Sequence, residues 1–386
     1  MKFRKIFSLS IMLAASSFLF GAMADVQPEN EIPADTIGST MDFESLGEHK
    51  NDVLKVALVL NDIYGNRDNE FSRGLLLGLK DAPIPESSLH LKMINGQMPL
   101  DSLNATLAEF EPGVIFSTHE KEMPDALLQY ANENNIKLLS VFDAKGEDYK
   151  SNANVFQLLS PSESFNANSA RYINENYLGN ILLLVGEPDP SDLILTDMVM
   201  AWPEDLIEVI DFAGLQEFSP LEGLNYIIYP ILPSDKDLQE FMTNVKTMAG
   251  DNPFSGIRVV GRPNWVAIPE LEKKIDGVEV LLPSKCYFDK TSDDAKRFIV
   301  DYKNKYNHTP MISYPVYAVM GYDVANYLVP ALIGELRETE PEWQTRDMLQ
   351  SYFNFWDDNQ TRLNYNNGSY ILHFVPGRKL QKELVD

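Results

Sequence analysis

Five histidines, one cysteine and 57 acidic residues are the groups in this 386-residue chain that could do chemistry. His49, His90, His119, His308 and His373 are scattered, and no two stand at metal-ligand spacing. His119-Glu120 opens like a zinc-protease helix, but the second histidine is missing. There is no G-x-S-x-G elbow, no phosphate-binding P-loop and no G-x-G-x-x-G turn. Carboxylates are abundant, yet nothing singles out a pair for acid–base work. The expectation is a chain with no catalytic residues, no metal and no cofactor. Ser117-Thr118 follows an expected strand, where such hydroxyls commonly cap a helix.

Charge and targeting narrow the class further. The formal net charge of −25 repels nucleic acid and anionic membrane surfaces. Lys2, Arg4 and Lys5 precede an apolar run over residues 6–20 and then Gly21-Ala22-Met23-Ala24. That is a charged n-region, an h-region and an Ala-x-Ala site, so residues 1–24 are expected to be a cleaved signal peptide. The expected compartment is the periplasm, with no membrane insertion after cleavage. Cys286 has no partner for an internal disulfide and is expected to be a buried, inert thiol. Residues 25–52 are acidic and poor in core-forming side chains, and read as a flexible tail.

Strand and helix then alternate. The run Val53-Leu54-Lys55-Val56-Ala57-Leu58-Val59-Leu60 reads as a buried strand. Helices are expected over 69–80, 100–110 and 123–134, with strands over 89–94, 113–116, 137–142 and 155–158. The rhythm repeats with helices over 162–177, 193–200, 235–249 and 269–274. Strands fall between them at 180–185, 224–230, 256–260 and 277–282. Such alternation implies βαβ units and parallel sheets covered on both faces. Asp293-Asp294 open a further helix, with Ala295, Phe298, Ile299, Tyr302 and Tyr306 on one stripe. Asn307 and Pro310 end it. A helix over 314–336 is apolar nearly all round and is expected to be buried.

The segment with Phe288, Tyr302, Tyr306, Pro310, Gly321, Tyr322, Asp323, Ala331 and Leu332 resembles the late segment of type I periplasmic binding proteins. The leucine/isoleucine/valine-binding proteins belong to that group. The strand at 55–60, the stretch NVFQLLSPS at 154–162 and FNANSA at 165–170 extend the resemblance over most of the chain from Val53. It implies two doubly wound α/β lobes joined by a hinge of three crossovers. Lobe 1 would comprise 53–157 plus 284–355, and lobe 2 158–283 plus 356–386. Tyr322 and Asp323 are expected to brace lobe 1 rather than touch a ligand.

The resemblance also implies an exported solute-binding protein that closes on a small molecule and serves a transporter permease. Another use of the same fold is a non-catalytic interaction module that regulates a cell-envelope protein. Ligands of open parallel sheets lie beyond the carboxyl ends of the strands. The candidate ligand-binding residues there are Tyr64, Ser117, Thr118, Phe142, Asp143, Asn264 and Trp265; the resemblance implies that Ser117-Thr118 would hold a ligand carboxylate, as hydroxyls and N–H groups after the matching strand do in the family's amino-acid binders. Two positions depart from the amino-acid binders of the family. Phe142-Asp143 stands where small residues are usual, and Arg262-Pro263-Asn264-Trp265 lacks the acid that meets a ligand ammonium. Trp265 is expected to stack on a ring or sugar, or to lie half-buried at the surface.

Overall fold

The computed structural model describes residues 53–82, 84, 88–119, 123–142, 152–232, 234–250, 256–336 and 346–386. The expected signal segment, the acidic tail and Asp143 lie outside the described residues. Among the described residues, no helix is long and apolar enough to cross a membrane.

Five parallel strands form the first sheet: β1 (Leu54–Leu60), β2 (Leu89–Asn95), β3 (Val114–Ser117), β4 (Lys137–Ser140) and β5 (Val155–Gln157). Their spatial order is β2-β1-β3-β4-β5. Successive side chains of a strand point to opposite faces, and β1 shows both faces buried. Val56, Leu58 and Leu60 join the core under α1 (Asn66–Asp81). Ala57 and Val59 join the core under α2 (Leu100–Phe110) and α3 (Asp125–Glu133).

The second sheet contains β6 (Ile181–Val185), β7 (Ile207–Ile210), β8 (Tyr226–Pro230), β9 (Ile257–Val260) and β10 (Glu279–Ser284), with β13 (Ser369–Phe374) and β14 (Gln381–Val385). Its order is β14-β13-β10-β9-β8-β6-β7. β13 runs antiparallel to β10, and β14 antiparallel to β13, so this sheet is parallel only in part. α4 (Ser162–Tyr177) and α5 (Leu193–Ala201) cover one face with Leu182, Leu184 and Ile227 beneath them. α6 (Leu238–Ala249) and α7 (Leu271–Ile275) cover the other with Leu183, Ile228 and Val259.

The late helices return to the first lobe. α8 (Asp293–Tyr306) starts where the Ser292 side chain accepts from the Ala295 N–H at 3.2 Å, and it ends at Asn307 with φ 62°. Its expected apolar stripe is buried at Ala295, Phe298 and Tyr302. Tyr302 also donates to the buried Glu70 carboxylate at 2.7 Å, and Tyr306 to the Arg73 carbonyl at 2.9 Å, which ties α8 to α1. α9 (Tyr317–Leu336) lies against α1 at backbone distance. A Cβ added at Gly78 would stand 2.7 Å from the Ala325 Cβ, and one at Gly321 would collide with the Phe71 carbonyl oxygen.

Three strands of chain join the lobes side by side. The Gln157 N–H donates to the Asn364 carbonyl at 2.9 Å, and Asn366 N–H to the Gln157 carbonyl at 2.8 Å. The Tyr287 N–H donates to the Gln350 carbonyl at 2.8 Å. The Tyr314 hydroxyl accepts from Lys285 N–H at 3.0 Å and meets Ser284 Oγ at 3.0 Å. Cys286 is buried here, and burial pushes its thiol up to about 12, which makes it a poor nucleophile. Asp323 has the bracing role expected of it. Its buried carboxylate accepts from the N–H groups of Leu349, Gln350 and Ser351 at 3.0, 2.9 and 2.9 Å.

Candidate functional site

The strand order of the first sheet reverses between β1 and β3, and a crevice opens beyond such a switch point. In this chain polar side chains of lobe 1 fill its floor. Thr118 is fully buried; its Oγ1 accepts from Asn61 N–H at 2.8 Å and donates to Asp68 Oδ2 at 3.0 Å. Asp68, also buried, accepts from Asp62 N–H at 2.6 Å. Ser117 is buried and shares a 2.8 Å hydrogen bond with His119 Nδ1. Burial lowers the His119 pKa, with the Asp68 charge working in the opposite direction. Both hydroxyls of the candidate carboxylate clamp therefore bind groups of their own lobe.

Beside this floor lies a cation on an aromatic bed. The Arg67 guanidinium sits 4.7 Å from the Phe142 ring centre and 5.8 Å from that of Tyr317. The two rings meet edge to face at 5.1 Å, and Phe71 packs on Phe142 from below at 5.9 Å. Phe142 stands two residues after the end of β4; its carbonyl accepts from Gln157 Nε2 at 2.7 Å and from Ser140 Oγ at 3.1 Å. These bonds hold the Phe142 main chain, and the Arg67 Nε also reaches Asp68 Oδ1 at 3.4 Å. The Arg67 side chain is 22% exposed. The bed holds a planar, permanently charged group at the carboxyl edge of the sheet, where the Asp68 carboxylate already meets it. Tyr64, in the loop just before α1, is 86% exposed.

The facing edge of lobe 2 differs from expectation at Trp265. Its side chain is fully buried in the core of that lobe, 6.4 Å from Phe241. Its six-membered ring lies against Gly261, where a Cβ would come within 2.8 Å of it. The short helical turn Pro263–Ala267 directs Trp265 inward and leaves Asn264 exposed. Stacking on a ligand and a half-buried surface position are both excluded. Polar groups come instead from the loop after β6. There exposed Asp189 has its pKa lowered by the backbone N–H and side chain of Ser191. Asp192 accepts from the Tyr229 hydroxyl at 2.8 Å.

The structure thus joins Ser117, Thr118 and Phe142 into one edge and removes Trp265 from it. Sequence reasoning missed Arg67, Asp68 and Tyr317. Arg67 lies in the first turn of α1, three residues after the candidate Tyr64, so its charge was the one available signal. Its stacking on Phe142 and Tyr317 is long-range pairing that no local pattern carries.

No family model matches the sequence, and no curated protein matches it. Solved structures do. A putative branched-chain amino acid ABC transporter protein from Rhodospirillum rubrum aligns with a TM-score of 0.59 at 13% identity, over 86% of this chain and 100% of that one. Full-length LpoA from Haemophilus influenzae aligns at 0.50 and 12% identity, over 86% of this chain and 59% of that one. An ABC transporter substrate-binding protein from Desulfitobacterium hafniense, in complex with Leu, aligns at 0.46 and 15%, over 86% and 99%.

Proposed function

We propose that this chain, which has the two-lobed fold of type I periplasmic binding proteins, is an exported, non-catalytic solute-binding protein. It holds a small carboxylate-bearing molecule between its lobes. The observation that carries the reading is the Arg67 guanidinium set over Phe142 and Tyr317 at the carboxyl edge of the first sheet. A planar guanidinium matches a carboxylate with two parallel donors, and a ligand carboxylate would share Arg67 with the Asp68 carboxylate that its Nε already meets. The net charge of −25 does not forbid an anionic ligand, because distant charges are screened beyond about 10 Å at 0.1 M salt.

The signal-like sequence of residues 1–24 supports the same reading. With Ala22-Met23-Ala24 as the cleavage site, the secreted protein should begin at Asp25 on N-terminal sequencing. Recovery of the Met1 segment in a membrane fraction contradicts it. Delivery to a transporter permease is the role proposed for the loaded form.

A second reading is a non-catalytic interaction module of the cell envelope. The inward use of Ser117, Thr118 and Trp265 favours it, since all three are lost to a ligand. A thermal-shift panel of amino acids, aromatic acids, small peptides, nucleosides and wall fragments separates the two. A ligand of the folded form stabilises it by about 2.7 kcal/mol at a hundredfold excess over its Kd. A shift with at least one carboxylate supports the first reading; silence across the panel supports the second.

A further inference from the structure

A small two-stranded ribbon stands where the lobes meet: β11 (Arg346–Asp347) paired antiparallel with β12 (Tyr352–Phe353). Its register sets Arg346 opposite Phe353 and Asp347 opposite Tyr352, so its two faces carry different residues. One face belongs to lobe 1. Phe353 stacks on Tyr327 of α9 at 4.9 Å with an interplanar angle of 7°. The turn between the strands is pinned by the three N–H bonds to Asp323.

The other face binds lobe 2. The Asp347 carboxylate accepts from the Tyr370 hydroxyl at 2.7 Å and from Lys382 Nζ at 2.9 and 2.7 Å. Tyr370 lies in β13 and is fully buried; Lys382 lies in β14. Tyr352 packs on Tyr370 at 6.0 Å and donates to Asp386 Oδ2 at 2.9 Å. The chain after the ribbon adds further bonds. Asn354 Nδ2 donates to Asp386 Oδ2 at 2.6 Å. Arg171 of α4 pairs with Asp358 at 3.0 Å and also donates to the Asp386 carbonyl. Asn168 donates to Asn367 Oδ1 at 3.0 Å.

We propose that the ribbon 346–353 is a hinge latch: anchored in lobe 1 through Phe353 and Asp323, it holds lobe 2 through Asp347 and Tyr352 and sets the angle between the lobes. On the lobe 2 side the Asp347–Lys382 ion pair is the part that releases, since Tyr352 and Tyr370 are buried. Its central carboxylate is part-exposed, with side-chain exposures of 28% at Lys382 and 37% at Asp347. The lobe 1 half is a buried aromatic stack and a buried carboxylate with three donors, which break only with the fold. Rotation about three crossovers requires the Asp347 bonds to Tyr370 and Lys382 to part or to move as a unit. The latch is independent of which molecule enters the cleft.

The test reads the distance between the lobes without any ligand. Spin labels on Asp101→Cys in α2 and Glu222→Cys before β8 report one distance; both sites are exposed, and buried Cys286 stays unlabelled. In the otherwise unaltered full chain the distance distribution should be narrow and single. Asp347→Asn with Lys382→Met keeps an acceptor for Tyr370 and removes the ion pair. It should broaden the distribution and add a second population. Should the double variant not fold, Lys382→Met alone and the unaltered chain at about 1 M salt, where exposed ion pairs are screened, are read by the same criterion. Distributions that coincide in the unaltered and folded altered chains overturn the latch.

Discussion

Asp323 shows how a single buried group sets local architecture. Among the described residues no counter-ion meets it; three backbone donors compensate its burial instead. Asp323→Ala strands those donors and should cost about 3 kcal/mol in denaturant unfolding. The pH dependence follows from sign. Burial is the largest influence on Asp323 and raises its pKa to about 7 against the three N–H bonds. The folded state then binds more protons than the unfolded state between about pH 4 and pH 7, so this residue makes stability fall as pH rises across that window. His119 acts oppositely. Its pKa is lowered from 6.5 by burial, so stability falls as pH drops below that value. Comparing Asp323→Asn and His119→Gln with the parent separates the two slopes. A parent and Asp323→Asn chain with parallel profiles from pH 4 to 7 would refute the first. Of these two residues only Asp323 was legible beforehand, from its place in the segment that resembles type I periplasmic binding proteins.

At the scale of elements, the pairing of α1 with α9 rests on glycines. Gly→Ala within an exposed helix gains stability by roughly 1 kcal/mol through propensity. At Gly78 the new methyl would meet Ala325 Cβ at 2.7 Å and the Tyr322 carbonyl at 2.8 Å. Gly78→Ala should therefore destabilise by about 1–3 kcal/mol, and Gly321→Ala by more, since its obstacle is the Phe71 backbone. An increase in Tm for either variant would contradict the packing. Long helices and apolar strands were legible because periodicity and length both speak for them: α2 and α4 match their expected ranges residue for residue. β7, β11, β12 and β14 were not. Gln381–Val385 reads QKELV, which is too polar to announce a strand, and it forms one only because β13 offers an edge. Trp265 was misplaced for a similar reason. Its neighbours Arg262, Pro263 and Asn264 look like surface, while the helical turn they form aims the indole into the core.

At the scale of the whole molecule, two lobes meet at crossovers that hydrogen-bond to one another. The crossovers, the ribbon at 346–353 and the α4 bonds lie together where the lobes join, and the Arg67 bed lies at the carboxyl edge of lobe 1. Closure on a ligand gains only what that ligand adds across both lobes. A strong latch therefore lowers apparent affinity by holding the population away from the closed form, and Lys382→Met should tighten binding of any true ligand. Weaker binding in that variant would place the latch on the side of closure instead. The claim on which the account rests is that Arg67 holds a small carboxylate. Native mass spectrometry of the full chain, mixed with the carboxylates of the thermal-shift panel at millimolar concentration, measures it directly. The account predicts a one-to-one adduct on the parent chain that Arg67→Ala loses while its unfolding midpoint stays within a few degrees. A parent chain without adduct, or an Arg67→Ala chain that carries the same one, would contradict it.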